Sequence, residues 1–463
     1  MATSTKTSTP TTIAPERIDE LRASLGGLII EPGQPGYTDA ITLWNGMIDE
    51  RPSLVAQPTG VSDVMQLVTF ARQQGLEIAI KGGGHNVAGY ATTSGGMMID
   101  LEHMRSVRVD PERRTARAAG GARWGDLDRE AGAFGLATTG GVISTTGVGG
   151  LTLGGGVGWL IGKHGLASDN LVSVDLVTAD GELVTASETS HPNLFWALRG
   201  GGGNFGVATS LEFQLHPQGM IFGGMVAHPP NKAPDVLAFY REFTESAPDE
   251  LTVYCGQMAE PEEGQRIAGL AFCWSGDLDR AQSVLQPLLD FGSPVMTIAE
   301  PMPYAIWNGA NDALFPHGRR YYWKSAMLRE LDDAVLETVA EFGMNAPLPW
   351  LNVTIESYGT GLSRRAADAT AFPHRDARYQ IVIIGAWDDP AQDAIGRQWA
   401  RDLHAAVEPY AMKGDFLNFN ALDGTDRQQR IRAGYGQNWD RLVEVKRRYD
   451  PDNVFHRNNT ITP

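Results

Sequence analysis

The stretch Lys81-Gly82-Gly83-Gly84-His85-Asn86 decides how the rest of this chain is read. Three consecutive glycines leave their backbone N–H groups with no side chain in front of them. Bare amides of this kind can close on the oxygens of a large anion, which a Cβ would hold off. The run follows a short apolar strand, Glu77 to Lys81, with Ile78 and Ile80 on one side. A helix is predicted upstream, from Ser62 to Gln74. Val64, Leu67, Val68 and Ala71 recur on one of its faces, Ser62 is placed to cap the start, and Gly75 ends it.

Two further glycine blocks lie outward from this one. The second runs from Gly140-Gly141 through Gly147-Val148-Gly149-Gly150 to Gly154-Gly155-Gly156-Val157-Gly158, and the third is Gly200 to Gly203. A single block reads more readily as a set of tight turns than as a ligand site. Three blocks in one half of a chain reverse that weighting and suit one large anionic ligand. Gly201-Gly202-Gly203-Asn204-Phe205-Gly206 matches GxGxxG in letters, but a helix (Asn193 to Leu198) precedes it and a strand (Val207 to Gln214) follows. The nicotinamide fingerprint needs the order strand, glycines, helix, so NAD is excluded on that ground. No GxxxxGK[ST] string supports a P-loop.

From about Phe222 to about Lys413 the glycine clusters stop. Helices (Ala233 to Ser246, Leu278 to Leu289, Leu331 to Phe342) alternate there with strands (Thr252 to Ala259, Arg266 to Trp274, Leu351 to Tyr358, Tyr379 to Trp387). The predicted fold class is α+β, with a sheet and a helical layer. Residues 414–463 return to turns and one amphipathic helix, Trp439 to Tyr449.

Composition narrows the function. A chain of 463 residues is too long for one core. Its net charge of −17 argues against nucleic acid and anionic membranes as partners, and favours a small neutral or cationic substrate. No apolar run is long enough to span a bilayer. Cys255 and Cys273 read as buried thiols outside any CxxC, no HExxH string occurs, and no metal site is expected. Residues 1–14 read as a polar, disordered tail without the apolar core of a signal peptide, which makes the cytoplasm the default location.

The glycine loop with its histidine resembles the pyrophosphate-binding loop of the berberine-bridge-enzyme-like branch of the vanillyl-alcohol-oxidase flavoproteins. The resemblance extends over nearly the whole chain. Trp44-Asn45 and Arg51-Pro52 fit upstream. Gly147 to Gly158 and Gly165-Leu166-Ala167-Ser168-Asp169-Asn170 fit the second FAD loop, and Trp196-Ala197-Leu198-Arg199 with Gly200 to Gly206 fit the third. Leu417-Asn418-Phe419, Tyr435-Gly436, Arg441-Leu442, Lys446, Tyr449 to Asn453 and Asn458 to Pro463 fit the C-terminal signature.

The resemblance implies an FAD-binding domain of two subdomains (the PCMH type) over 15–218, completed by 414–463. An α+β substrate domain carrying an antiparallel sheet would be inserted at 219–413. It implies FAD bonded covalently to His85. Gly82, Gly83, Gly84, Asn86, Thr146, Gly147, Gly150, Gly154, Gly155, Asn170, Asn204, Val207, Asn418 and Asn458 would contact the cofactor. Many relatives make a second link through a cysteine where this chain has Ile143, so a single link is implied. Thr146 matches the position that gates dioxygen, where a small residue goes with oxidase behaviour. Phe419 stands where many alcohol oxidases carry a tyrosine base, which tilts the substrate towards an amine or an activated phenol-like ring.

Side chains of a strand alternate faces, so Asn352, Thr354 and Glu356 share one face, and Tyr322 and Lys324 share another. Such a face can meet water or roof a flavin. With the resemblance, the second reading prevails: Glu356 is the candidate base, Lys324 tunes it, and Asn352 and Tyr322 stand nearby. The expected reaction moves hydride from a C–H next to N or O to the flavin, with dioxygen as acceptor and hydrogen peroxide as product. A dehydrogenase using another acceptor, a non-catalytic flavin or ligand-binding protein, and a monomer or homodimer all stay open.

Overall fold

The computed structural model describes residues 13–259, 265–421, 424 and 426–463. The tail expected over residues 1–14 therefore lies outside the described residues, except for Ile13 and Ala14. The helix expected from Ser62 runs from Val61 to Gln74, and no side chain caps it, because its cap position is Gly60. Gly75 closes it in the left-handed region at φ 64°, donating its N–H to Ala71 and Arg72 carbonyls.

The architecture is α+β, and three sheets carry it. A four-stranded sheet has the order Leu28–Ile30, Leu54–Gln57, Met97–Asp100, Ile78–Lys81. The last two of these strands run parallel to their neighbours. A five-stranded antiparallel sheet has the order Val107–Asp110, Thr115–Ala119, Val207–Gln214, Leu171–Val177, Leu183–Ser187. The third sheet has seven antiparallel strands: Met296–Pro303, Met220–His228, Arg266–Trp274, Leu251–Ala259, Asn352–Ser357, Tyr379–Trp387 and Arg320–Leu328.

One face of the large sheet is covered by helices Ala233–Glu245, Asp333–Met344 and Asp393–Val407. Val253, Leu270, Val353, Ile355 and Ile383 enter the core on that side, against Val236, Tyr240, Val339 and Leu403 from the helices. The other face points towards the glycine-rich half of the chain. The helix Trp439–Tyr449 returns to that half, where Leu442 and Val445 join the core that holds Leu194, Phe195 and Phe205. Among the described residues, no helix is long and apolar enough to cross a membrane.

Candidate active site

A long cavity lies between the glycine-rich half and the outer face of the seven-stranded sheet. It encloses about 2150 Å³, its open mouth included, and residues of all three glycine blocks line it. The first two blocks touch backbone to backbone. A Cβ on Gly83 would lie 2.2 Å from the Gly147 nitrogen, and Gly84 turns the chain at φ +70°. Only glycine permits that turn without strain. Asn86 then accepts the Ala88 N–H at 3.0 Å and fixes the loop exit.

His85 sits at this junction and lines the cavity. Its ring stacks on Trp44 at 4.8 Å, and Trp44 stacks on Tyr321 of the large sheet at 3.7 Å. Its Nε2 lies 2.8 Å from Thr145 Oγ1 and its Nδ1 3.4 Å from Thr146 Oγ1. Burial pushes its pKa down to about 3, helped by the charges of Arg123 and His317. The imidazole is therefore neutral at pH 7 and keeps a lone pair on one nitrogen. Ile143 lines the same cavity and has no thiol to offer.

The cavity surface fits a dinucleotide. Gly150 and Gly203 both line it, and a Cβ on either would meet nothing within 4 Å. Neither has the positive φ that would call for glycine. Their bareness makes sense where a ligand presses on the backbone. Asn458 donates to the Gly203 carbonyl at 3.0 Å, while its buried Oδ1 has no partner among the described residues. Arg457 is, among the described residues, the one arginine or lysine on the lining. An anion would thus be held mostly by amides.

Gly82, Gly147, Gly154, Asn204 and Asn418 also line the cavity. Two of the asparagines act as braces. Asn418 donates to the Leu151 carbonyl at 3.0 Å, and a Cβ on Gly154 would collide with its Oδ1. Asn204 donates to the Gly201 carbonyl and accepts the Ile461 N–H. Lys446, fully buried, binds the Asn204 carbonyl, the Phe455 carbonyl and Asp450, and so pins the third block to the C-terminal segment.

Three expected cofactor contacts lie off the cavity lining. Gly155, at φ +122°, is absent from the lining, and a Cβ there would meet Phe372 at 3.0 Å. Asn170 is a loop brace that donates to the His164 and Leu166 carbonyls and bonds His216. The Val207 side chain joins the core beside the four-stranded sheet; its neighbours Gly206 and Ala208 are the lining residues.

The substrate side is corrected too. Glu356 lines the cavity, but Asn352, on the same face, does not; its Oδ1 accepts the Ala259 N–H where the two strands end. Tyr322 and Lys324 lie on the opposite face. Lys324 is paired with Ile383, which is in the helix-side core, whereas Trp323 is paired with Ile384, and both of those line the cavity. Tyr322 accepts from Arg401 of the covering helix at 3.1 Å, and Lys324 donates to the Ala421 carbonyl at 2.7 Å.

Glu356 is 7% exposed, and burial raises its carboxyl to about 7 against the bond from Tyr358. The Tyr358 hydroxyl lies 2.8 Å from Glu356 Oε2 and 2.6 Å from Gln380 Oε1. It has one hydrogen for two acceptors. Two arrangements satisfy it: the Gln380 amide turned so that its otherwise unpaired Nε2 donates to Tyr358, or a protonated Glu356 carboxyl that donates to Tyr358. Such a carboxyl can give or take a proton near neutral pH. Sequence reasoning missed Tyr254, which is paired with Glu356 across the strands and lines the cavity beside it. No motif marks this position; only the strand register brings it there.

Residues 52–187 match the family described as FAD binding domain, and residues 415–462 match the one described as berberine and berberine like. An FAD-linked oxidoreductase of Dictyostelium discoideum is 30% identical over 97% of this chain and 98% of that protein. The (R)-6-hydroxynicotine oxidase of Paenarthrobacter nicotinovorans is 31% identical over 95% and 97%. The crystal structure of 6-hydroxy-D-nicotine oxidase from Arthrobacter nicotinovorans superposes with a TM-score of 0.86 at 30% identity, covering 95% of this chain and 98% of that one. A chitooligosaccharide oxidase superposes at 0.84 with 25% identity, covering 96% and 99%.

Fold and cavity together define an FAD-dependent oxidoreductase built on a PCMH-type scaffold. The chain belongs to the berberine-bridge-enzyme-like family of the vanillyl-alcohol-oxidase superfamily.

Proposed function

We propose that this enzyme is an oxidase that carries FAD on His85 through one covalent bond and oxidises a small organic molecule at a C–H next to nitrogen or oxygen. The carrying observation is the neutral imidazole of His85, held on the cavity wall where the first two glycine blocks meet. When bound, FAD would accept hydride at N5 and pass the electrons to dioxygen, giving hydrogen peroxide.

The chain's own residues supply position and proton handling. The amides of Gly82 to Gly84, Gly147 to Gly150 and Gly202 to Gly203 hold the phosphates. Trp44, Thr145 and Thr146 fix the His85 ring. Ile143 makes no thioether, so the bond at His85 is single. Thr146 leaves room for dioxygen at the cavity wall. Glu356 takes the substrate's proton, which its raised pKa suits, and Tyr358 with Gln380 orients it. Phe419 offers no phenolate, which supports an amine over an unactivated alcohol.

The division into 15–218 with 414–463, and 219–413 between them, belongs to this reading. It is supported by a large sheet drawn wholly from residues 220–387 and by Leu442 packing among residues of the first half. A cytoplasmic location is supported by two buried free thiols, Cys255 and Cys273. A monomer and a homodimer are both compatible with this reading.

The test combines a denaturing gel viewed under ultraviolet light with an amine and alcohol screen that reads peroxide. Fluorescence should stay with the polypeptide and leave it in His85→Ala. A colourless protein that takes up no flavin would sink the proposal. Flavin reduced by substrate but reoxidised slowly by dioxygen would make the enzyme a dehydrogenase instead. Bound flavin that no compound reduces would make it a binding protein.

A further inference from the structure

The wall beside Glu356 carries a group that the reaction just proposed does not use. Tyr254 lies on strand Leu251–Ala259, directly opposite Glu356 on strand Asn352–Ser357. Side chains at such paired positions leave the sheet on the same face, with Cβ atoms about 4.5–5.5 Å apart. Both line the cavity. Tyr254 is 6% exposed, and its hydroxyl has no hydrogen-bond partner among the described residues.

A buried hydroxyl left unpaired is costly unless something fills the vacancy. The ring itself is well held. It stacks on Trp159 at 4.2 Å, and Trp159 packs against Trp307 at 5.3 Å. The hydroxyl is thus rigidly aimed without a protein partner. Val382 and Ile384, also on the lining, give the adjoining sheet face an apolar surface. The Trp323 Nε1 is a second unpaired buried donor on the lining, one sheet edge away.

We infer that Tyr254 is a specificity-determining residue whose hydroxyl bonds a second polar atom of the substrate while Glu356 engages its nitrogen. This rests on the FAD-oxidase reading and adds to it the class of substrate. The substrate is a small, mostly apolar amine that carries, about one ring's width from its nitrogen, an oxygen or ring nitrogen able to hydrogen-bond. A simple alkyl or aryl amine lacking that second atom leaves the hydroxyl unpaired and binds worse. The balance is an ordinary exchange of hydrogen bonds: water leaves the amine, and Tyr254 takes its place at the distal atom.

The test titrates the oxidised, flavin-loaded enzyme anaerobically with two probes, 3-hydroxybenzylamine and benzylamine, and follows the flavin absorbance change. The wild-type enzyme should bind the hydroxylated probe at least tenfold more tightly. Tyr254→Phe keeps the stack on Trp159, so it should retain flavin content and melting temperature. It should erase the preference by losing affinity for 3-hydroxybenzylamine alone. Glu356→Gln should weaken both probes alike. A preference that survives in Tyr254→Phe would overturn the inference, as would equal wild-type affinity for the two probes or no binding of either. Loss of flavin from the wild-type protein would instead overturn the reading beneath it, and flavin absorbance recorded in every titration separates the two failures.

Discussion

The cavity has two unlike walls. On the glycine side the working groups are backbone amides, and side chains are conspicuous by their removal: Gly83 cannot accept even a methyl group, and Gly150 and Gly203 lie bare beside open space. On the sheet side the polar groups are side chains, Glu356 and Tyr254 among them, set beside Val382 and Ile384. The first wall is built to hold a cofactor whose shape never changes. The second is built from side chains carried on strands, whose backbone pairing does not depend on which side chain faces the cavity, so it can be retuned for a new substrate. Relatives named for a hydroxynicotine and for chitooligosaccharides share the scaffold at TM-scores of 0.86 and 0.84.

The contrast is most easily broken at Gly83. Gly83→Ala puts a Cβ 2.2 Å from the Gly147 nitrogen, backbone against backbone. Overpacking of this kind costs about 1–3 kcal/mol or more. Flavin content, read from absorbance, should fall to background even in whatever fraction folds. The sheet wall should behave oppositely. Glu356→Gln should keep its flavin and lose about 10²-fold in kcat/KM.

The wild-type pH profile should rise through about 7, where Glu356 becomes the base, and this limb should vanish in Glu356→Gln. Stability carries the same signature with the sign worked out. The folded pKa is raised from 4.5 to about 7, so between those values the folded state keeps a proton that the unfolded chain has lost. The Glu356 contribution to stability should therefore fall as pH rises from 4.5 to 7, read as the difference between wild type and Glu356→Gln. By pH 8 the decline should amount to something on the order of 3 kcal/mol that Glu356→Gln does not show.

Gly150→Ala sharpens the comparison. It sits inside the short helix Val148–Leu153, where alanine is favoured by about 0.5–1 kcal/mol. The flavin-free protein should melt slightly higher, while flavin affinity drops by about tenfold. Lys324→Met should do least. On the helix side of the sheet, it should change kcat/KM by less than roughly threefold. A large loss with flavin retained would return Lys324 to the substrate wall.

These outcomes bear on what could be read from the chain alone. The glycine wall was legible because bare backbone has a one-letter signature, and Gly82 to Gly84, His85 and Gly147 all meet where their clustering suggested. The strands around Glu356 were legible by alternation. The facing of Lys324 was not. Period two says which residues share a face, and only the pairing of Lys324 with Ile383 says which way that face looks. Tyr254 was invisible for the same reason, since its neighbour Glu356 is about a hundred residues away in the chain. The outer strands Met220–His228 and Met296–Pro303 escaped notice through composition: Gly223 and Gly224 weaken one pattern, and Pro301 and Pro303 interrupt the other. Asn170 carries a family motif yet serves as a strut, because a motif records a fold's needs as well as its ligand's.

The rivet at Trp44-Asn45 has a consequence for how the enzyme lives and fails. Trp44 is clamped between His85 and Tyr321, and Asn45 clasps the Val87 carbonyl and both backbone groups of Tyr321. His85, the proposed cofactor anchor, and the seven-stranded sheet are thus one mechanical piece. Because this rivet joins the two walls, reactants should pass through the mouth and not between parted walls. Heating should melt anchor and sheet together, in a single calorimetric peak.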